Sequence, residues 1–265
     1  MVDVSGPGPL TNPTLELIAQ RSSTRTYDPT PLTDDERQAI LHAALRAPTG
    51  GNMVLYSIIE VEDQPIKERL AILCDDQPFI ATAPWVLLFV ADWQKWTDLF
   101  AASGVADIEA DAPRTQVGPG DLMLACADAV IAAQTAVIAA ESLGIGSCYI
   151  GDIIENGEEV ADLLALPPHT LPAAMVCFGR PRKPRAPIGR YGRDLVHHDR
   201  YRRMTEAEMT EVARELGELH APSGLSKGVT SYPQAVYRRK FASTFMAEMN
   251  RSAAWWMERW SRGGP

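Results

Sequence analysis

The chain is poor in cysteine. Cys74, Cys126, Cys148 and Cys177 are the only four in 265 residues, and no two stand in a C-x-x-C pair. That spacing argues against a disulfide scaffold and a paired redox motif, and it fits reduced thiols in a cytoplasmic protein. There is no excess of positive charge either. Lys and Arg number 25 against 34 Asp and Glu, a formal net charge of −9, so nucleic acid is not expected as a partner. Long apolar runs are also missing. The most apolar stretch, residues 122–140, is interrupted by Asp128 and Gln134; it reads as a buried helix, and no membrane partner is expected. The opening "MVDVSGPGPLTNP" has no basic segment followed by an apolar one, so a secretory signal is not expected.

Several general catalytic signatures are absent as well. Gly144 and Gly146 begin a G-x-G pattern, but Tyr149 stands at the third glycine position, so the dinucleotide fingerprint fails. No G-x-x-x-x-G-K-[ST] occurs, and "GIGSCYIG" lacks the G-x-S-x-G elbow. His197, His198 and Asp199 are adjacent, so their side chains diverge and no metal centre is expected. Cys148 invites a thiol-enzyme reading with His169 or His197 as base. Its apolar neighbours favour a buried, inert thiol.

What is present is an interleaved series of helices and strands. Asn12–Pro13 starts a helix that ends near Arg21, and Thr33 with Glu36 forms a capping box for the next. Residues 54–62, 84–92 and 172–180 read as strands, the second as one buried on both faces. A long helix over about 121–143 is closed by Gly144, and "SCYIGD" reads as a short strand or turn. The organisation expected is a flexible lead over 1–12, one core over 13–200 and a helical arm over 201–265, with Tyr237, Phe241 and Phe245 at helical spacing.

Two basic clusters stand out in this acidic chain. "QRSSTRTY" sets Arg21 and Arg25 around Ser22, Ser23 and Thr24, and six Lys or Arg with no acid lie between Arg180 and Arg193. A guanidinium with neighbouring hydroxyls suits a phosphate monoester; a solvated surface loop is the alternative for each cluster alone. The glycine-rich "APTGGN" (47–52) reads either as a helix stop or as a loop that lets backbone approach a flat ligand.

"RSSTRTY", "APTGGN", "VLYSIIEV", "AESLGIGSCYIG" and "GRPRKPRAP", in this order, resemble the FMN-dependent nitroreductase and flavin reductase family. The branch most similar is that of the oxygen-insensitive, NADPH-dependent major nitroreductases. The resemblance implies an α+β fold: a mixed central sheet flanked by helices, in an intertwined homodimer whose C-terminal arm, 201–265, packs on the partner. The helix over 121–143 would then lie in the dimer core. It implies FMN as cofactor and NADPH (or NADH) as cosubstrate, with nitroaromatics, quinones or free flavins reduced by ping-pong hydride transfer. It carries over Arg21, Ser22, Ser23 and Arg25 to the phosphate and the ring edge, and Thr49, Gly50, Gly51 and Asn52 to the pyrimidine side. Gln77 is carried over as a flavin contact, Tyr149, Ile150, Gly151 and Asp152 as the segment along the ring, and Lys183 and Arg185 as further phosphate contacts. No protein nucleophile is implied; the Gly151 amide and Arg25 would tune the flavin. The family usually has a basic residue where this chain has Ser22, and its 2′-phosphate loop is matched here only by "SGLSKG" with Lys227. A flavin storage or sensor protein, a dehalogenase and a flavin-degrading enzyme are the other outcomes such a site allows.

Overall fold

A computed structural model describes residues 10–105, 116–183, 186–187, 189, 195–221, 224–225 and 227–262. The chain divides into two compact units, one of residues 22–185 with 248–265, the other of residues 1–21 with 186–247.

The larger unit is built on four strands, β1 (Tyr56–Glu60), β2 (Trp85–Asp92), β3 (Gly146–Ile150) and β4 (Thr170–Gly179), in the order β1-β2-β4-β3. All three ladders are antiparallel. The resemblance led to a mixed sheet; among the described residues the only parallel pairing is an isolated bridge between Ser23 and Ser147 at the β3 edge. Every residue of β2 is buried, as its near-continuous apolar sequence requires of a central strand covered on both faces.

Alternation along the strands sorts side chains into two layers. On one face Leu88, Val90, Met175, Cys177, Cys148 and Ile150 pack with α3 (Gln64–Leu73) and α7 (Gly157–Leu163). On the other, Leu87, Phe89, Val176 and Phe178 pack with α2 (Asp34–Leu45) and α6 (Pro119–Ser142). Short helices α4 (Phe79–Thr82) and α5 (Gln94–Ala102) flank β2.

The caps read in the sequence are present. Asn12 Oδ1 accepts from Leu15 N at 3.0 Å at the start of α1 (Pro13–Gln20), and Thr33 and Glu36 cap α2 reciprocally. Gly144, at φ +72°, ends α6 in a Schellman turn: Ile145 N donates to Ala140 O and Gly144 N to Glu141 O. Helix α6 buries a stripe of Ala125, Ala129, Ala132, Ala133, Ala136 and Ala140, small residues that let it lie close on the sheet. Its opposite face differs from the expectation of a fully buried helix. Met123, Leu124, Val130 and Ile131 are exposed in the single chain, Met123 to 74%. By length and composition α6 is apolar enough to cross a membrane, while its alanine face packs on β2 and β4.

Residues 248–262 of α10 (Thr244–Arg262) belong to this unit. Trp256 and Trp260 are fully buried, one helical turn apart, in the same layer as α7. Their indole N–H groups donate to Ile154 O and Gly118 O, and Ser252 Oγ accepts from Gly157 N at 2.8 Å. A Cβ at Gly157 would stand 2.7 Å from Trp256 Nε1, so glycine is what allows the approach. Two buried tryptophans with bonded indole N–H groups secure this segment in the core of the larger unit.

The smaller unit holds α1, α8 (Glu206–His220), capped reciprocally by Thr205 and Glu208, and α9 (Tyr232–Val236). A π-helical turn over Tyr237–Phe241 follows, with the Tyr237 and Phe241 rings stacked at 5.3 Å. The helical period expected through Phe245 breaks there, because Ser243 Oγ accepts from Met246 N and starts α10 afresh.

Candidate functional site

The segment after α1 runs along β3 and then crosses to the end of β4. Thr24 N donates to Ser147 O at 2.8 Å, Asp28 N to Arg180 O at 2.8 Å, and Arg182 N to Thr26 O at 3.1 Å. A Cβ at Gly146 would fall inside the Thr24 side chain, so that glycine is what lets the two segments meet. Thr24 and Tyr27 turn inward; the Tyr27 hydroxyl lies 2.6 Å from Thr24 O, and burial raises its pKa. Arg25 turns outward, its guanidinium 6.0 Å from the Phe79 ring centroid. These backbone bonds bring Ser22, Ser23 and Arg25 to the chain segment that holds Lys183. Arg21 caps α1 and is assigned to the smaller unit; Arg185 lies outside the described residues.

Arg180 is bound to Glu36 at 2.5 Å, and Arg37 to Glu62 at 2.8 Å. Among the described residues neither Arg25 nor Lys183 has a carboxylate partner. Arg25 and Lys183 lie opposite each other, one residue on from the Arg182 N to Thr26 O bond.

Gln77 is fixed by an unusual turn. Asp75 and Asp76 both lie at positive φ, and Gln77 N donates to Ala71 O at 2.8 Å. Its side-chain Nε2 donates to Cys74 O at 2.7 Å and to Asp152 Oδ2 at 2.6 Å. Both amide protons point at acceptors, which assigns the amide orientation and leaves Oε1 as its remaining polar atom. Asp152 follows Gly151 at the end of β3. Ile150 is buried in the core, Tyr149 faces the other layer with its hydroxyl 3.4 Å from Gln134 Oε1, and a Cβ at Gly151 would meet nothing within 4 Å. Ile150 thus offers only backbone to a ligand, and Gly151 borders open space.

The loop Thr49–Asn52 stands elsewhere, ahead of β1. Gly51, Asn52 and Val54 have φ of 59°, 58° and 52°. Gly50 N donates to Asp128 Oδ1 at 2.9 Å and Leu55 N to Asp128 Oδ2 at 3.2 Å, while Thr49 Oγ1 accepts from Val54 N at 3.4 Å. Trp96 Nε1 donates to Met53 O at 2.9 Å. Asp128 and Trp96 escaped the sequence reading as site elements. The signal for Asp128 was the polar interruption of an apolar helix.

The candidate residues thus form two groups. Ser22, Ser23, Arg25 and Lys183 lie toward the Gly146 end of β3 and Gln77, Gly151 and Asp152 at its Ile150 end, whereas Thr49–Asn52 lead into β1 at the opposite edge of the sheet. Three strand spacings separate the edges by about 14 Å.

A thiol site is not assembled. Cys148 is buried opposite Cys177 in the β3–β4 ladder. His169 adjoins the other end of β4, about 23 Å along the strand, with Nδ1 2.6 Å from Trp260 O. His197 packs on Tyr201. No cluster of metal-ligating residues occurs among the described residues.

The class this structure defines is an α+β fold of helices around a small antiparallel sheet, with a glycine loop at positive φ ahead of its β1 edge. Comparison with known proteins places it within that class. The model of the Nitroreductase family matches residues 18–180, and the chain belongs to that family. It is 32% identical over 219 residues, 80% of this chain and 85% of the relative, to the oxygen-insensitive NADPH nitroreductase of Salmonella typhimurium. It is 32% identical, over 71% of this chain and 74% of the relative, to the FMN reductase (NADPH) of Bacillus subtilis. Among solved structures, NfrA1 of B. megaterium superposes with a TM-score of 0.77 at 28% identity, covering 92% of this chain and 98% of that one.

Proposed function

We propose that the protein is an NAD(P)H-dependent FMN oxidoreductase that reduces flat acceptors such as nitroaromatics, quinones or free flavins, and that it works as a homodimer in the cytoplasm. The observation that carries the reading is the antiparallel pairing of residues 26–28 with 180–182, which sets Arg25 opposite Lys183, both without a carboxylate partner among the described residues. Arg25, Lys183 and Arg185, with Ser22 and Ser23, would hold the phosphate. Gln77, aimed by Asp152, offers Oε1 to a ligand N–H. The Gly151 amide would donate to the ring, Tyr149, Ile150 and Asp152 would border it, and Thr49, Gly50, Gly51 and Asn52 would line its pyrimidine side. When bound, FMN supplies hydride acceptance from NAD(P)H and hydride donation to a second substrate. The chain's own task is to bind, orient and place positive charge, which explains why no nucleophile and base come together.

The homodimer is supported by the separation of the two residue groups and by the exposed apolar face of α6. A second copy would bring one chain's Thr49–Asn52 loop to the other chain's Arg25. The segment 201–247 would serve as the arm on that partner.

The decisive experiment is anaerobic reduction of the purified protein. A yellow protein bleached by NADPH or NADH and reoxidised by a quinone supports the reading. A yellow protein that NAD(P)H does not bleach is a flavin store or sensor, and a colourless one that binds no added FMN refutes the assignment. Arg25→Ala is expected to weaken FMN binding roughly 10- to 100-fold, the loss of one charge-assisted contact, and to shift the flavin potential negative. Unchanged affinity and potential would remove Arg25 from the site.

A further inference from the structure

The loop Thr49–Asn52 is held from behind by groups that have no ligand of their own. Asp128 is 4% exposed in the middle of the alanine face of α6. Burying a carboxylate among alanines is unfavourable unless its oxygens are bonded. Here one oxygen accepts from Gly50 N and the other from Leu55 N, so a single side chain spans both ends of the loop. Three more bonds from the α5 side complete the hold: Trp96 Nε1 to Met53 O at 2.9 Å, Lys95 Nζ to Tyr56 O at 2.6 Å, and Asp92 N to Leu55 O at 3.0 Å. The Lys95 ammonium lies in the field of both Asp92 and Asp128.

Between these anchors the backbone is strained. Asn52 tolerates the left-handed region, but Val54, at φ 52°, is β-branched. Such a conformation persists only where the surroundings over-determine it, and it clusters at ligand sites.

We infer that Asp128 is a positioning residue that clamps residues 50–55 in the strained shape presented to the flavin. The inference rests on the flavin reading above. Asp128 acts through two backbone amides. Asp128→Asn keeps the shape but turns one acceptor into a donor facing an N–H.

The test combines hydrogen exchange with FMN titration on the full chain. In Asp128→Asn the amides of Gly50 and Leu55 should exchange faster while those of β2 stay protected, and the Kd for FMN should rise roughly 10- to 100-fold. Adding Val54→Gly, which removes the penalty at φ 52°, should restore part of that affinity. A general loss of packing would not be rescued in this way. Should Asp128→Asn not fold, Trp96→Phe replaces it, with faster loop exchange and weaker FMN binding expected. Native affinity together with native exchange in the folded variant, or no rescue by Val54→Gly, overturns the inference. A wild-type chain that binds no FMN instead overturns the flavin reading and leaves the exchange result to judge the clamp alone.

Discussion

At the scale of single residues, the cysteines show how burial decides chemistry. Burial raises the thiol pKa of Cys74 and Cys177, and it pushes Cys126 up to about 11. The thiolate is the reactive form, so these groups remain protonated and inert near neutral pH. Cys148 sits in the same layer with its Sγ 3.5 Å from Tyr149 O, far along the sheet from His169. Cys148→Ser is therefore expected to keep its flavin and its NAD(P)H oxidation rate. The buried hydroxyl should lower stability by about 1–3 kcal/mol. Steady-state turnover alongside thermal melting checks both. A folded, flavin-loaded Cys148→Ser protein without turnover would establish thiol chemistry and reject hydride transfer as a sufficient account. The contrast with Arg25 is one of environment: that side chain is exposed and has no carboxylate partner among the described residues.

At the scale of elements, the end of α10 is secured by packing first and charge second. Arg251 grips Glu158 through two bonds, at 2.7 and 2.8 Å, and also binds Glu248 at 2.8 Å. Hydrogen bonding to Arg251 is the main cause that holds both carboxyls below the ordinary 4.5. A folded-state pKa below the unfolded value means that the unfolded chain takes up more protons as pH falls. This stabilisation is therefore complete above about pH 4.5 and lost as pH drops through the depressed values. The groups are largely in solvent, so the effect is under about 1 kcal/mol. Unfolding followed by tryptophan fluorescence should show a steeper acid loss in the native chain than in Arg251→Met; identical slopes would contradict the assignment. Which parts of this architecture were legible in the sequence follows from range. The Thr33–Glu36 box, the Asn12–Pro13 start and the Gly144 stop act within a few residues and stood where the sequence put them. Trp256 and Trp260 share a helical face in the sequence, but only the approach of Gly157 and the carbonyls of Ile154 and Gly118 shows what that face covers. Asp128 was visible as an interruption, and its purpose was not, because its partners lie more than 70 residues away. The FMN motifs were legible as order and spacing, not as proximity.

At the scale of the whole molecule, the sheet order governs what one chain can do. β1 and β3 are opposite edges. The glycine loop enters one edge and Arg25 lies along the other, three strand spacings or about 14 Å across the sheet, and the proposed homodimer would bring a second copy's loop to Arg25. In the proposed homodimer, helix α6 would supply the surface for that union. Its alanine face is taken up by the sheet, and Leu124 and Ile131 on the other face are 56% and 40% exposed. Exposed apolar side chains grouped on one helix face mark an association surface more often than a solvated one. Ile131→Glu places a charge there without touching the core and is expected to give a folded monomer by light scattering, with native far-ultraviolet circular dichroism. Because each site would draw Thr49–Asn52 from the partner, FMN affinity should fall together with dimerisation and recover at high protein concentration. A monomer that still binds FMN at native strength would mean that one chain completes the site. A dimer unaffected by the charge would mean that α6 is not the surface where the copies meet.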